Sequence, residues 1–236
     1  MRRAYWSALA VLLVSASAAR AQAPAAAATD LYHVHFVQAA PGKAAELEKA
    51  MASPPADAGK MILLRHAQGS TWDYVAIEHV GPKATIEIGP NPASATRELR
   101  AWHEDTFVAG PSWDVFARAL GADAAPGGQV YIVGTYRGAP GHRAQLEQTL
   151  GKIQASAAKP DSGVVLQHVE GANWDYMVVA RYDSWQALAN EETDAAVAER
   201  EKKAGLARSA GVELREHVGA HSDTLATRVA VKPAAK

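Results

Sequence analysis

The most constraining feature of this 236-residue chain is that it repeats itself. Leu31–Glu48 returns as Val130–Glu147, displaced by 99 positions and sharing an Ala-Pro-Gly step followed by a helix-forming stretch. Leu64–Tyr74 returns as Leu166–Tyr176, displaced by 102, with a glycine and then Trp-Asp-Tyr in both copies. The pattern Arg-Glu-x-x-x-x-His-x-Asp-Thr occurs at Arg97–Thr106 and again at Arg215–Thr224, displaced by 118. The three matches keep their order. The change from 102 to 118 places an insertion of 16 residues in the second half, near the charged run Glu191 to Lys203.

Each copy reads as strand, helix, strand, strand, helix and a closing strand. Tyr32, Val34 and Phe36 alternate with His33 and His35, the period-2 signature of a strand. Pro41-Gly42 and Pro140-Gly141 break the chain before helices that carry Leu47 and Leu146. Met61 to His66 and Val164 to His168 are second strands, and Gly69 and Gly171 turn the chain into third strands starting at Trp-Asp-Tyr. Asn91-Pro92 supplies a cap and first turn for the next helix. Trp185 to Leu206 reads as a charged helix, and Val115 to Arg118 and Thr227 to Ala230 as closing strands.

This order is the ferredoxin-like one, an antiparallel sheet with helices on one face. Its uncovered face needs a cover, and a second copy supplies one. The expected fold is therefore α+β, two tandem ferredoxin-like repeats forming a pseudo-dimeric α/β barrel, with units at 31–126 and 127–230 and a tail at 231–236. On these elements the chain resembles the dimeric α/β-barrel superfamily, in its fused-repeat members. The superfamily includes antibiotic-biosynthesis-type monooxygenases, haem-degrading and chlorite-dismutase-like proteins, muconolactone isomerases and stress-responsive proteins. The resemblance implies a pocket between sheet and helices or inside the barrel. It also implies a cofactor-free or haem-linked oxygenase reaction on a small apolar or aromatic molecule.

Arg2 and Arg3, the apolar run Ala8 to Ala16 and the Ala19-Arg20-Ala21 site compose an export signal over 1–21, ahead of an Ala/Pro-rich tether at 22–30. Cleavage near Ala21 predicts a periplasmic or secreted protein. It carries the formal charge from −1 to −4, by removing Arg2, Arg3 and Arg20. That balance argues against nucleic acid as a partner. No stretch beyond the signal is long and apolar enough to span a membrane. With no Cys, disulfides, thiolate metal sites and thiol nucleophiles are excluded. Glycine-rich dinucleotide and P-loop motifs, the Gly-x-Ser-x-Gly elbow and His-Glu-x-x-His are absent too. A homo-oligomer is compatible with everything above.

Four constellations carry chemistry. Trp72, Asp73 and Tyr74 recur as Trp174, Asp175 and Tyr176. On a strand the two rings share a face, where they either wall a pocket or pack beneath the helices while the Asp caps a turn. His66 and His168 precede those turns, so His66 with Asp73 forms a candidate base, or a structural pair, with Tyr74 as a third catalytic candidate. His103 and Asp105 recur as His221 and Asp223. On a helix their i, i+2 spacing would spread them apart, which argues against a shared metal and for a polar helix end. His33 and His35 share one side of a strand and form a half-site for copper, zinc or iron, with His66 as a third ligand. The second half has Ile132 and Gly134 in their place, the asymmetry expected of one active site in a duplicated fold. The cofactor is left open between none, haem and a metal ion. The function is left open between an oxygenase-like enzyme, a non-catalytic ligand-binding or stress-response module, and a metal or haem carrier.

Overall fold

The computed structural model describes residues 30–54, 59–69, 71–82, 96–157, 159–191, 193–203, 205–206 and 209–232. The export signal, nearly all of the tether and the helix start at Asn91-Pro92 lie outside the described residues. The first half runs β1 (Asp30–Ala39), α1 (Ala44–Met51), β2 (Met61–Gln68), β3 (Tyr74–Pro82), β4 (Arg100–Gly110) and α2 (Trp113–Leu120). The second runs β5 (Val130–Gly138), α3 (Arg143–Ser156), β6 (Gly163–Glu170), β7 (Tyr176–Tyr182), α4 (Trp185–Glu191), α5 (Asp194–Lys203), α6 (Ala210–His217) and β8 (Val218–Val229).

The eight strands close into one barrel in the order β1-β3-β2-β8-β5-β7-β6-β4, with every pairing antiparallel. Starting from β4, the ring reads 4-1-3-2 and then 8-5-7-6, the same order shifted by four strands. The halves are joined by two equivalent seams, β2 against β8 and β4 against β6. Closure pairs each of the eight described strands on both sides, leaving none of them with a free edge.

Strand alternation decides what faces where. Tyr32, Val34 and Phe36 of β1 join Tyr131 and Val133 of β5 in one core shared by both halves, whereas Val37 packs outside the barrel under α1. Side chains fill the barrel. At the end where β1 and β5 begin, α2 lies across it, with Phe116 stacked on Tyr32 at 4.7 Å and the Tyr131 hydroxyl donating to the Leu120 carbonyl. Toward the other end, Trp72 packs on Phe36 at 5.5 Å, and Trp174 donates its indole N–H to Glu104 at 3.2 Å. Outside, Leu47 anchors α1 on Val37, Leu63 and Tyr74, and Leu146 and Leu150 anchor α3 on Tyr176. Each fully buried leucine contributes about 2–3 kcal/mol.

Gly69 and Gly171 have a positive φ near 110° for a reason that joins the halves. A Cβ at Gly69 would lie 2.7 Å from the backbone oxygen of Asp223, and one at Gly171 would collide with that of Asp105. Each β2–β3-type turn thus presses on the last strand of the other half.

Three expectations are corrected. Residues 100–110 form a strand, because their alternation of Trp102, Glu104, Thr106 and Val108 against His103, Asp105 and Phe107 is pinned by β1 on one side and β6 on the other. Val115 to Arg118 is helical, since Trp113, Phe116, Ala117 and Leu120 recur at helical spacing and are all buried. The charged stretch after Trp185 divides into α4 and α5, with a further helix, α6, before β8. Among the described residues, no helix is long and apolar enough to cross a membrane.

Candidate functional site

The outer face of the β3-β1-β4 segment carries a concentrated group of polar side chains. Because β1 and β4 run antiparallel with His35 opposite Asp105 and His33 opposite Phe107, all odd-numbered residues of both strands in this stretch share the outer face. Asp105 therefore sits among three imidazoles. Its Oδ1 lies 3.0 Å from His33 Nε2 and also accepts from His35 Nδ1, and its Oδ2 lies 2.8 Å from His103 Nδ1. Arg100 donates from Nη1 to His35 Nε2 at 3.1 Å. Since guanidinium only donates, His35 accepts at Nε2 and carries its proton on Nδ1, toward Asp105. Glu78 of β3 approaches His33 Nδ1 to 3.9 Å and accepts from the Gly59 amide. The His35 and His103 rings stack at 5.5 Å, and Phe107 lies 5.2 Å from the His33 ring.

These groups are half-buried, with His33, His35 and Asp105 side chains 22%, 18% and 30% exposed. Burial opposes charge on His33, but hydrogen bonds with Asp105 and Glu78 outweigh it and push its pKa up to about 9. Burial likewise opposes ionisation of Asp105, yet hydrogen bonds from His33 and His35 hold it far below the usual carboxylate range. At neutral pH the pair is His33 imidazolium and Asp105 carboxylate.

The matching face of the second half holds a different arrangement. Ile132 and Gly134 replace the two histidines, and the Tyr136 hydroxyl donates to Asp223 Oδ1 at 2.8 Å while His221 Nδ1 lies 3.2 Å from Oδ2. Tyr136 folds over the space that a side chain at Gly134 would need, since a Cβ there would lie 2.7 Å from its ring and 2.6 Å from Asp223 Oδ1. Burial, and then Asp223, push the Tyr136 hydroxyl well above its ordinary value.

The remaining expected residues lie elsewhere. Trp72 and Tyr74 do not wall one pocket: the chain turns at Asp73 and the strand begins only at Tyr74, so Trp72 enters the barrel core and Tyr74 the cluster under α1. Trp174 and Tyr176 part in the same way. The Asp73 carboxylate accepts from the Ala39 amide at 2.7 Å, and that of Asp175 from the Gly138 amide at 2.8 Å, so both brace the strand–helix corner. His66 shares the inner face of β2 with Leu64 and packs on Trp72, on the other side of the sheet from His33 and His35, so it does not complete their ligand set. His168 Nε2 accepts from the Ala172 amide within the turn. The Tyr74 hydroxyl donates to the Ala44 carbonyl and Glu48, and burial followed by Glu48 pushes it up to about 12. It anchors α1.

Sequence reasoning did not foresee Asp105, Arg100 and Glu78 as neighbours of His33 and His35. The period-2 alternation of His103, Asp105 and Phe107 was the signal that could have found the first. It also missed Asp30, assigned to the tether, whose buried carboxylate lies 2.8 Å from His79 Nε2 and accepts from the Trp113 amide. Two of the clefts among the described residues are small. One of about 200 Å³ is lined by Arg137, Trp174 and His221, and one of about 130 Å³ by Gln129, Trp185 and Arg228. Neither reaches the roughly 300–1,000 Å³ of ordinary ligand pockets, so a haem does not fit them.

No protein-family model matches the chain, and no curated protein does. Solved structures do. An anthrone oxidase-like protein aligns at a TM-score of 0.57 and 16% identity, over 89% of this chain and 94% of its own. A candidate monooxygenase from Lactobacillus acidophilus aligns at 0.51 and 11%, over 85% and 94%. These establish the fold as an α+β barrel.

Proposed function

We propose that the chain is an exported, duplicated α+β barrel that oxidises a small, mostly apolar molecule on the outer face of β1 and β4. The two halves would be the units 31–126 and 127–230, and export would remove residues 1–21. The observation that carries this reading is the convergence of His33, His35 and His103 on Asp105, in one half only. His103 is the reactive imidazole. Its Nδ1 is 2.8 Å from Asp105 Oδ2, a contact that fixes the tautomer and turns Nε2 outward as an acceptor. A His–Asp base was expected in this chain, but at His66 and Asp73. His103 would draw a proton from a phenol or an activated methylene, giving an electron-rich anion able to react with dioxygen. The filled barrel interior directs the substrate to the outer face.

Oxygen uptake by the full chain with anthrone and a panel of simple phenols tests this. Uptake with at least one of them, falling about 100-fold or more in His103→Ala and Asp105→Asn but not in His221→Ala, supports the reading. Uptake that survives both first-half substitutions, or none with any of these compounds, overturns it. The mass of the mature protein recovered from the exporting cell tests removal of 1–21.

A further inference from the structure

The geometry points to a binding site for a divalent first-row transition-metal ion at His33, His35 and Asp105, which deepens the reading of the same face but is tested without turnover. One ring nitrogen each of His33 and His35 and an Asp105 carboxylate oxygen lie within 4.8 Å of one another, and His33 Nε2 and His35 Nδ1 are the nitrogens that meet Asp105 Oδ1. Donors around one ion at roughly 2.0–2.2 Å lie no more than about 4.4 Å apart, so at most small side-chain rotations bring this set onto one ion. The arrangement follows from register: two histidines at i, i+2 on β1 and an aspartate opposite the second on β4 must aim at one point. A stiff, closed barrel holds both strands, so little ordering remains to be done on binding.

The donor set selects the ion. Two imidazoles and one carboxylate suit Zn²⁺, Fe²⁺, Co²⁺ or Ni²⁺, whereas Mg²⁺ and Ca²⁺ prefer oxygen throughout. Three protein ligands leave positions open for water or a substrate oxygen. His103 and Glu78 provide the surrounding shell, His103 on the second carboxylate oxygen and Glu78 toward the far nitrogen of His33.

Positive charge already lies at this point as the His33 proton, and the Arg100 guanidinium sits at the far nitrogen of His35. An ion would displace the protons now held between the imidazoles and Asp105. With the metal on His35 Nδ1, the ring's remaining proton moves to Nε2, where it opposes the Arg100 donor now 3.1 Å away. Arg100 must then withdraw. Its own Nε is buried without a hydrogen-bond partner among the described residues, so its Nη1 contact with His35 is the hydrogen bond at stake. Arg100 is thus a competitor for the site, and removing it should tighten binding.

Titration of the full chain with Co²⁺ by visible absorption, and with Zn²⁺ by calorimetry, decides the matter. One ion per chain is expected, bound with proton release and more tightly at pH 8.5 than at pH 6.5. His33→Gln, His35→Ala and Asp105→Ala should each weaken binding roughly 100-fold, His103→Ala about 10-fold, and Arg100→Ala should strengthen it several-fold. His142, whose Nδ1 lies 3.0 Å from that of His217 at the α3–α6 contact, is the control for a competing histidine pair. His142→Ala and His221→Ala should leave the affinity unchanged. Circular dichroism checks that each variant is folded, and His33→Gln and His35→Ala give independent routes should one collapse. Absence of binding below millimolar ion, binding undiminished in the His33 and His35 variants, or loss of affinity in Arg100→Ala would each overturn the assignment. Stoichiometric binding without oxygen uptake leaves this inference standing and removes the oxidation. Uptake by stripped protein that binds no ion does the reverse.

Discussion

Raising the pH of metal-free protein from 6.5 to 9.5 should loosen it through a single imidazole. His33 is buried, which disfavours its charge, but Asp105 and Glu78 outweigh burial and push its pKa up to about 9. Asp105, Glu78 and His35 are the groups that face it, and Arg100 reaches it only through His35. An unfolded histidine titrates near 6.5, so the native state holds this proton the more tightly. A raised pKa stabilises fully below the unfolded value, and the benefit is lost as pH climbs through the folded one. Here the window runs from about 6.5 to about 9. Two and a half pH units correspond to about 3 kcal/mol. Asp105 is 30% exposed, so salt and solvent screening should leave about 1–2 kcal/mol at physiological ionic strength. In a chain of this size that is a fall in Tm of roughly 2–8 °C. Thermal melts in chelator at pH 6.5 and 9.5, on wild type and His33→Gln, isolate the contribution as a difference of differences. Equal pH dependence in the two proteins would refute the reasoning.

Other substitutions probe the scaffold. Leu47→Ala empties a fully buried position between α1 and the outer sheet face, and urea denaturation should show a loss of about 2–5 kcal/mol. Asp73→Ala leaves the Ala39 amide without its acceptor and should cost about 1–3 kcal/mol by the same assay, while oxygen uptake below the lowered Tm is retained. Gly134→Ala drives a methyl into the Tyr136 ring and Asp223, and should cost about 1–3 kcal/mol. Gly151→Ala, on α3 with open space around it, should instead be neutral or slightly stabilising in the same melts.

The segments that recur in the sequence are the ones whose elements recur in space. Leu31–Glu48 spans β1 and the start of α1, and Val130–Glu147 spans β5 and the start of α3. Local chemistry sufficed there, because Pro-Gly breaks and alternating apolar residues act within a few positions. The final strand of each half was harder. His103-Glu-Asp-Thr-Phe has polar residues on both faces for half its length, and only pairing with β1 and β6 makes a strand of it. That one misassignment also hid the site. On a helix His103 and Asp105 diverge, and on β4 they share a face that register sets opposite His35. His33 and His35 were legible because their spacing is local. Their partners were not, because they lie some 70 positions away along the chain. The expected His66–Asp73 base misled for a related reason. Adjacency to a turn says nothing of which side of the sheet a ring takes, and His66 turns inward to Trp72.

The two halves show why an ion would be held in one and not the other. Both keep the carboxylate and the exposed imidazole, as Asp105 with His103 and Asp223 with His221. What differs is the strand opposite. In β5, glycine at the position of His35 lets Tyr136 fold down and occupy Asp223 Oδ1, the oxygen equivalent to the one His33 and His35 share on Asp105. A phenol whose proton is held by burial and by a neighbouring anion is a poor ligand, and Ile132 adds none. In β1, Val37 stands where Tyr136 does and packs under α1 instead, leaving the carboxylate to the imidazoles. Three substitutions on a single strand thus separate a sealed hydrogen-bonded triad from a convergent set of nitrogen and oxygen donors. The pseudo-symmetric barrel need not change to tell them apart.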